Sequence, residues 1–461
     1  MNGLPEGWAL ACISDLADIN PKQDFDDHLP AGFVPMSHAP TNFRDKLRFE
    51  ERNWGEIKKA YTNFKDGDVI FAKVTPCFEN GKAALVEEMP SGIAAGSSEF
   101  YVLRPSSPEV SAKYLLALVK SRGFMREGAE NMTGAVGLRR VPKKFVESYP
   151  VLVPPAAEQT RITQKLDELL AQVDTLKACI DGIPVLLKRF RQSVLAAAVS
   201  GRLTEGWRAS SVPEDSTEYQ SVDVLEPWSH TIEAPVSWQM HIFEEVIKLV
   251  GGSQPPKSEF SYEPKPGFVR LIQIRDYKSD SHKVFINQES TKKFCSARDV
   301  MIGRYGPPVF QILRGLEGAY NVALMKAVPG EGLNNEYMYW YLQNYKLLNF
   351  VEAGSDRTAG QSGVNKAFLE KYPLFIPPLD EQTEIVRRVE QLFAFADQLE
   401  VKVASAKSRI DHLTQSILAK AFRGELVSQD PDDEPASVLL ERIKAQRAAA
   451  PKAKRGRKAS A

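Results

Sequence analysis

The stretch Tyr149-Pro-Val-Leu-Val-Pro154-Pro155-Ala-Ala-Glu158-Gln159-Thr160 returns 223 residues later as Tyr372-Pro-Leu-Phe-Ile-Pro377-Pro378-Leu-Asp-Glu381-Gln382-Thr383. The offset runs on without a gap: Gln192-Ser193-Val-Leu195-Ala196 matches Gln415-Ser416-Ile-Leu418-Ala419, and Gly201-Arg-Leu203 matches Gly424-Glu-Leu426. A repeat of this length fixes the organisation before any single element is assigned. Upstream the echoes are fainter, Gly7-Trp8 against Ser237-Trp238 and Gly67-Asp68-Val69-Ile70-Phe71 against Arg298-Asp299-Val300-Met301-Ile302. The chain is two tandem halves, each a divergent block followed by a well-matched one.

The matched block reads as a long helix. Apolar residues fall at Ile162, Leu166, Leu169, Val173, Leu176, Ile180, Ile183, Leu187, Phe190 and Val194, alternating steps of four and three. The second copy keeps the phase at Ile385, Val389, Leu392, Ala396, Leu399, Val403, Ala406, Ile410, Leu413 and Ile417. Such a heptad seam needs a partner helix to cover it. Pro-Pro before each run stops the helix extending backward, and Gly201 and Gly424 stand where a left-handed cap belongs. About 41 residues at 1.5 Å each make a rod of roughly 60 Å. Gly182-Ile183-Pro184 predicts a kink in the first rod, with no counterpart at Lys407. Two similar helices pairing about a pseudo-two-fold axis predict an antiparallel coiled coil.

The divergent blocks carry short β-rich runs, such as Asp68–Ala72, Glu99–Leu103, Phe268–Ile274 and Ala319–Met325, between Gly, Pro and Asn turns. Helices are fewer, Ser111–Arg126 and Asn335–Phe350. The predicted fold class is therefore α+β: two mixed modules joined by two long helices in a pseudo-symmetric tandem repeat. The boundaries fall at residues 1–153, 154–203 (helical), 204–236 (a Ser/Glu/Pro-rich linker), 237–376, 377–427 (helical) and 428–461, a short helix and basic tail.

Composition removes several function classes. Of the 461 residues 43% are hydrophobic and no apolar run reaches bilayer length, and acidic Glu6, Asp15 and Asp18 in the first twenty residues predict no secretory signal. A cytoplasmic location and no membrane partner are expected. Four scattered cysteines and six unclustered histidines predict neither a disulfide framework nor a metal site. No phosphate loop, Gly-x-Ser-x-Gly or His-Glu-x-x-His occurs, and Tyr305-Gly306-Pro307-Pro308-Val309-Phe310 has Gly where an amino-methyltransferase needs Asn or Asp. No catalytic residue, metal or cofactor is assigned to this chain.

With 59 basic and 59 acidic residues, and 19 against 20 within residues 1–150, any nucleic-acid surface must be local. The candidates sit at parallel places in the two halves. In the first, Lys73 and Thr75 follow the Gly67-Asp68 run, and Arg139, Arg140 and Lys143 lie in a flexible basic loop at 133–144. In the second, Ser253, Gln254 and Lys257 lie in an early loop, Arg304 and Tyr305 follow the matching run, and Arg357 and Gln361 precede a helix. Arg and Lys can address guanine, Gln can address adenine, and glycines admit a close backbone.

The Pro-Pro-x-x-Glu-Gln stretches, Leu166–Asp174, Lys188–Leu195, Ile385–Phe393 and Leu413–Leu426 resemble the conserved regions of the specificity subunit of type I restriction-modification systems. The resemblance covers nearly the whole chain and makes the divergent blocks similar to that family's target recognition domains. It implies a non-catalytic reader of double-stranded DNA, each domain reading one half of a bipartite asymmetric site and the paired helices setting the gap. It further implies two modification subunits that methylate adenine with S-adenosylmethionine, and translocating restriction subunits that use ATP and Mg. Two readers on one duplex face then predict half-site centres roughly 34 to 36 Å, about 10 base pairs, apart.

Overall fold

A computed structural model of the chain describes residues 4–135, 137–211, 218–306, 308–358 and 361–449, without the side chains of 211, 356–358, 361 and 362. The basic stretch at 452–458 lies outside the described residues. The chain divides into two compact units, residues 1–181 with 404–461, and residues 182–403.

In the first unit, β1 (Ala9–Cys12), β2 (Ala17–Ile19), β3 (Pro30–Val34), β4 (Glu50–Asn53), β5 (Thr62–Lys65), β6 (Val69–Ala72), β7 (Ala83–Leu85), β8 (Ile93–Gly96) and β9 (Phe100–Pro105) form most of the body. They are followed by β10 (Thr133–Ala135), β11 (Leu138–Arg140) and β12 (Pro150–Val153). Two four-stranded sheets, β2-β9-β6-β7 and β4-β3-β8-β5, carry the core, β1 pairs with β12, and β10 with β11. The central strands are apolar on both faces because both are covered. Ile70, Phe100 and Val102 pack with Val34, Phe64 and Ala94 of the second sheet. Val69, Phe71, Tyr101 and Leu103 turn to the helical side, against Tyr114–Val119, Ile162 and Leu166.

One helix expected over Ser111–Arg126 is two, α1 (Ala112–Val119) and α2 (Arg122–Glu130). The hydroxyls of Ser111 and Ser121 accept from the backbone N–H of Tyr114 and Phe124. The second of these is a fresh N-cap where one unbroken helix was expected.

The Glu-Gln pair of the repeat ties this body to the long helix Ala156–Val199. The Trp8 indole donates to Glu158 Oε2 at 2.9 Å, while Gln159 Oε1 accepts the N–H of Ser111, the α1 N-cap, at 3.0 Å. Gln159 Nε2 donates to the carbonyl of Pro154 at 3.1 Å. Within the unit the start of this helix packs on the end of the helix Leu379–Phe422, Leu166, Leu170 and Val173 sharing a core with Ile410, Ile417 and Leu418. The pairing is antiparallel: Lys177 meets Asp411 at 3.6 Å and Asp181, one turn on, meets Lys407 at 2.6 Å.

Of the expected seam, Ile162, Leu166 and Val173 are buried, Leu169 is half-buried beside a buried Leu170, and Leu176 is 49% exposed. The exposure is local, because further along the same helix Ile180 packs on the core and Leu187 and Val194 are buried again. A final helix, Ala436–Ala449, packs Ala436, Leu439, Leu440 and Ile443 into the same core, and Asp433 before it pairs with Arg161 at 2.6 Å.

The second unit repeats the plan. One sheet runs in the order Ile247–Gly251, Leu324–Pro329, Val300–Gly303, Gln311–Leu313, and the other Phe285–Asn287, Phe268–Ile272, Gly318–Tyr320, Phe294–Cys295. The expected helix Asn335–Phe350 is likewise two, α3 (Asn335–Tyr341) and α4 (Tyr345–Ala353), capped by Asn334 and Asn344. Trp238 donates to Glu381 Oε2 at 2.9 Å, and Gln382 Oε1 accepts the N–H of Asn334, the α3 N-cap, at 2.7 Å. Ile385 and Val389 are buried and Leu392, Leu399 and Val403 half-buried. Arg191 meets Asp397 at 2.5 Å, while Arg388 reaches the carbonyl of Leu203 at 2.7 Å, again antiparallel.

The first long helix continues through Pro184. Gly201 and Gly424 take φ of +74° and +71°, the left-handed caps expected of them. Residues 204–236, expected as a linker, hold a helix Glu205–Ser211 and a hairpin Tyr219–Val224/His230–Pro235. Arg208 on that helix pairs with Glu381 at 2.5 Å, both buried, and Thr204 donates to the same oxygen at 2.6 Å.

The two carboxylates therefore differ. Glu381 is saturated by an arginine, a hydroxyl and an indole. Among the described residues Glu158 has only its indole, its Oε1 lacks a hydrogen-bond partner, and burial pushes its pKa up. Glu381→Ala should cost about 3–5 kcal/mol in urea unfolding because it strands a buried Arg208, and Glu158→Ala only about 1 kcal/mol. A raised folded-state pKa gives stability that is full below the unfolded pKa and lost as pH rises through the folded value. Glu158→Gln is therefore expected to raise the unfolding midpoint at pH 7 and leave it unchanged near about pH 4.

Candidate nucleic-acid interface

In the first unit the chain leaving β6 runs against the β10–β11 hairpin. Val74 bridges Arg140, the N–H of Thr75 donates to Arg139 O at 3.0 Å and that of Val141 to Lys73 O at 2.8 Å. The segment expected as a flexible loop is thus a hairpin pinned to the sheet, with Gly134 in its first strand and Gly137 before its second at φ +124° and +84°, values that only glycine adopts freely. Tyr101 locks its base, donating to the carbonyl of Val141 at 3.0 Å.

The candidate cations meet different partners. Lys73 donates to Ser98 O at 2.8 Å and lies over the Tyr101 ring, and the Thr75 hydroxyl donates to Arg139 O at 3.3 Å. Arg139 pairs with Glu79 at 3.1 Å, Lys143 with Glu147 at 2.9 Å on the helix Lys143–Ser148, and Arg140 with both oxygens of Glu99. Hydrogen bonding from Arg140 holds the Glu99 carboxyl below its usual pKa range. Neither carboxylate was anticipated from the sequence. Glu79 and Glu99 lie 60 and 41 residues from their arginines, so only the strand pairing brings them together.

Nearby, the ammonium of buried Lys120 donates to the carbonyls of Thr41 at 2.8 Å, Gly81 at 3.0 Å and Pro40 at 3.4 Å, burial drawing its pKa down to about 7. Gln415 on the second long helix donates to the Lys120 carbonyl at 3.2 Å. The turn that carries Glu79 is thereby fastened to the helix.

The second unit has the same construction. Tyr305 bridges Gly363, the N–H of Val364 donates to Arg304 O at 2.9 Å, and the hairpin Asp356–Thr358/Gln361–Gly363 stands where β10–β11 stands in the first unit. Arg357 and Gln361 lie on this hairpin; their side chains are outside the described residues. Arg304 has no ion pair among the described residues. Its guanidinium lies 5.2 Å from the Tyr305 ring centre and its Nε is buried without a partner, a cation not yet committed to a counter-charge.

The early loop leaves the same sheet end. Gly252 N–H donates to Leu324 O at 3.1 Å and Arg304 N–H to Ala323 O at 2.8 Å, one on each side of the central strand. Ser253 is fixed there by its hydroxyl contact with Thr291 at 2.6 Å, with Gln254 and Lys257 following. Only glycine fits at 252, since a Cβ would stand 2.0 Å from the carbonyl oxygen of Asn321. The matching loop of the first unit, after Asn20, was missed because no residue identity marks it; the N–H of Asn20 donates to Val102 O at 2.9 Å, as Gly252 does to Leu324.

Among the described residues no cluster of His, Cys, Asp or Glu could hold a metal ion, and no helix is long and apolar enough to cross a membrane. A duplicated α+β module with a pinned, arginine-bearing hairpin at one sheet end, each copy clamped to a long helix, makes the chain a tandem-repeat protein of two related modules. The chain belongs to the type I restriction modification DNA specificity domain family, whose model matches residues 5–184 and again 235–404.

The type I restriction enzyme EcoAI specificity subunit of Escherichia coli is 37% identical over 91% of this chain and 83% of its own length. The EcoKI specificity subunit of E. coli K12 is 30% identical over 99% of both chains. The HsdS subunit from Thermoanaerobacter tengcongensis shares the fold, with a TM-score of 0.62 at 21% identity over 92% of this chain and 98% of that one. Specificity subunits recognise the DNA sequence and leave catalysis to other subunits. Gly252→Ala should push the early loop off the sheet end and destabilise the second unit by about 1–3 kcal/mol in urea unfolding.

Proposed function

We propose that this chain reads a bipartite, asymmetric DNA site in the cytoplasm, one half through each unit, with a fixed gap between the halves. The observation that carries the reading is the recurrence of one platform. The bridges Val74 to Arg140 and Tyr305 to Gly363 hold a hairpin against the strand end in the same way in both units. The two platforms present different side chains, as reading two different half-sites requires, while the repeated Glu-Gln clamp sets each platform on its helix.

In this proposal the DNA contacts come from Lys73, Thr75, Arg139, Arg140 and Lys143 in the first unit. In the second they come from Ser253, Gln254, Lys257, Arg304, Tyr305, Arg357 and Gln361. The long helices serve as spacer and as seat for two modification subunits, which bring S-adenosylmethionine to the target adenine. Restriction subunits using ATP and Mg complete the assembly. A charge-balanced chain fits a reader that gains affinity from its complex rather than from a large basic face of its own.

The test is single-molecule sequencing of methylated adenine in cells expressing the chain with its neighbouring modification gene, against cells lacking the chain. A two-part motif with a constant gap, present only with the chain, is expected. A set of methylated sites unchanged by its removal would contradict the proposal. Arg304→Ala should weaken one half-site alone, by about 1–3 kcal/mol per base pair read.

A further inference from the structure

Arg140 and Glu99 form a pair with a defined face. Arg140 donates from Nε to Glu99 Oε2 at 2.9 Å and from Nη2 to Oε1 at 2.8 Å, so the carboxylate occupies one edge of the guanidinium. Nη1 and the outer N–H of Nη2 form the end-on fork, which has no partner among the described residues. Three constraints fix the plane of that fork. The Arg140 backbone is bridged to Val74, the Glu99 carbonyl accepts from Lys73 N–H at 2.9 Å, and Glu99 immediately precedes the central strand β9. The pair is only partly covered, with side-chain exposures of 42% for Arg140 and 27% for Glu99, so the fork is open to solvent.

An arginine can also fork a phosphate, but a phosphate accepts from several directions and does not demand one plane. Reading guanine is different, since O6 and N7 lie in the base plane and take two parallel N–H donors. A carboxylate on the side edge suits the second task and works against the first, because it cancels the charge a phosphate would seek.

We propose that Glu99 is a positioning residue that holds Arg140 end-on for a guanine in the half-site read by the first unit. Arg139, held to Glu79 by a single contact, has no such two-point constraint on its plane. The assignment rests on the DNA-reading function proposed above and adds the base, the residue that reads it and the residue that aims it.

The experiment maps methylated adenines genome-wide with the full chain and its modification partner, for the wild type, Arg140→Lys, Glu99→Ala and Glu99→Gln. The wild type should show an invariant guanine in one half-site. Arg140→Lys and Glu99→Ala should both let that single position vary, with discrimination falling roughly tenfold to a hundredfold. Glu99→Gln, whose amide oxygen still accepts one N–H, should fall between them and the wild type. The other positions of that half-site and the whole of the other half-site serve as internal controls.

A guanine that stays invariant in both Glu99 variants overturns the assignment. So does a loss of discrimination spread evenly over the half-site, the signature of a merely structural role, or a half-site without guanine. If the wild type directs no motif at all, the DNA-reading function fails first and the assignment with it.

Discussion

Everything else in this chain depends on how each α+β body is fixed to its long helix, and two side chains do it. A glutamate in the first turn takes the indole N–H of a tryptophan at the start of the body, and the glutamine beside it takes the backbone N–H of the N-cap of a helix packed in that body, α1 or α3. The two indole bonds are buried and the two glutamine bonds partly so, which keeps them short of competing water and costly to leave unmade. Each joins residues far apart in sequence. The Pro-Pro before them fixes the approach of the chain, and the glutamine's amide donates back to a carbonyl of that turn, Pro154 in one copy and Pro377 in the other. The two copies therefore differ in their hairpins while sharing one kind of seat.

The two seats are not identical. The second carries Arg208 and Thr204 on Glu381, supplied by residues 204–236, which also furnish a hairpin to that unit. The first is closed by the C-terminal segment, where Asp433 engages Arg161 and the following helix adds its apolar face. A neutral net charge coexists with this because the charges are spent locally, as ion pairs along the helices and as carboxylates beside the arginines of the first hairpin.

The repeat, the long helices, their caps and the mixed character of the blocks were legible in the sequence because periodicity and identity are local or translational signals. The role of Glu158 and Gln159 was visible only as a repeated pair. Their partners, Trp8 and Ser111, lie 150 and 48 residues away. Helix breaks at Ser121 and Asn344 were missed because apolar periodicity continues across them while a polar cap restarts the backbone. Leu176 was misplaced because the heptad spacing gives it the same weight as Leu187 and Val194, which are buried while it is not. The hairpins at 133–140 and 356–363 looked like loops because three-residue strands rich in Gly, Thr and Arg carry little alternation. Of the candidate site, the arginines could be named from the sequence and the carboxylates they pair with could not, since ion pairing across strands leaves no spacing to read.

The claim that one chain carries two readers at a distance set by its helices is tested most directly by lengthening both helices together. Seven residues inserted at matched points of Ala156–Val199 and Leu379–Phe422 keep the seam in phase and add roughly 10 Å of rod. Mapping methylated adenines in cells carrying this variant should return the same two half-sites with a longer gap. The same half-sites at the original gap would contradict the account.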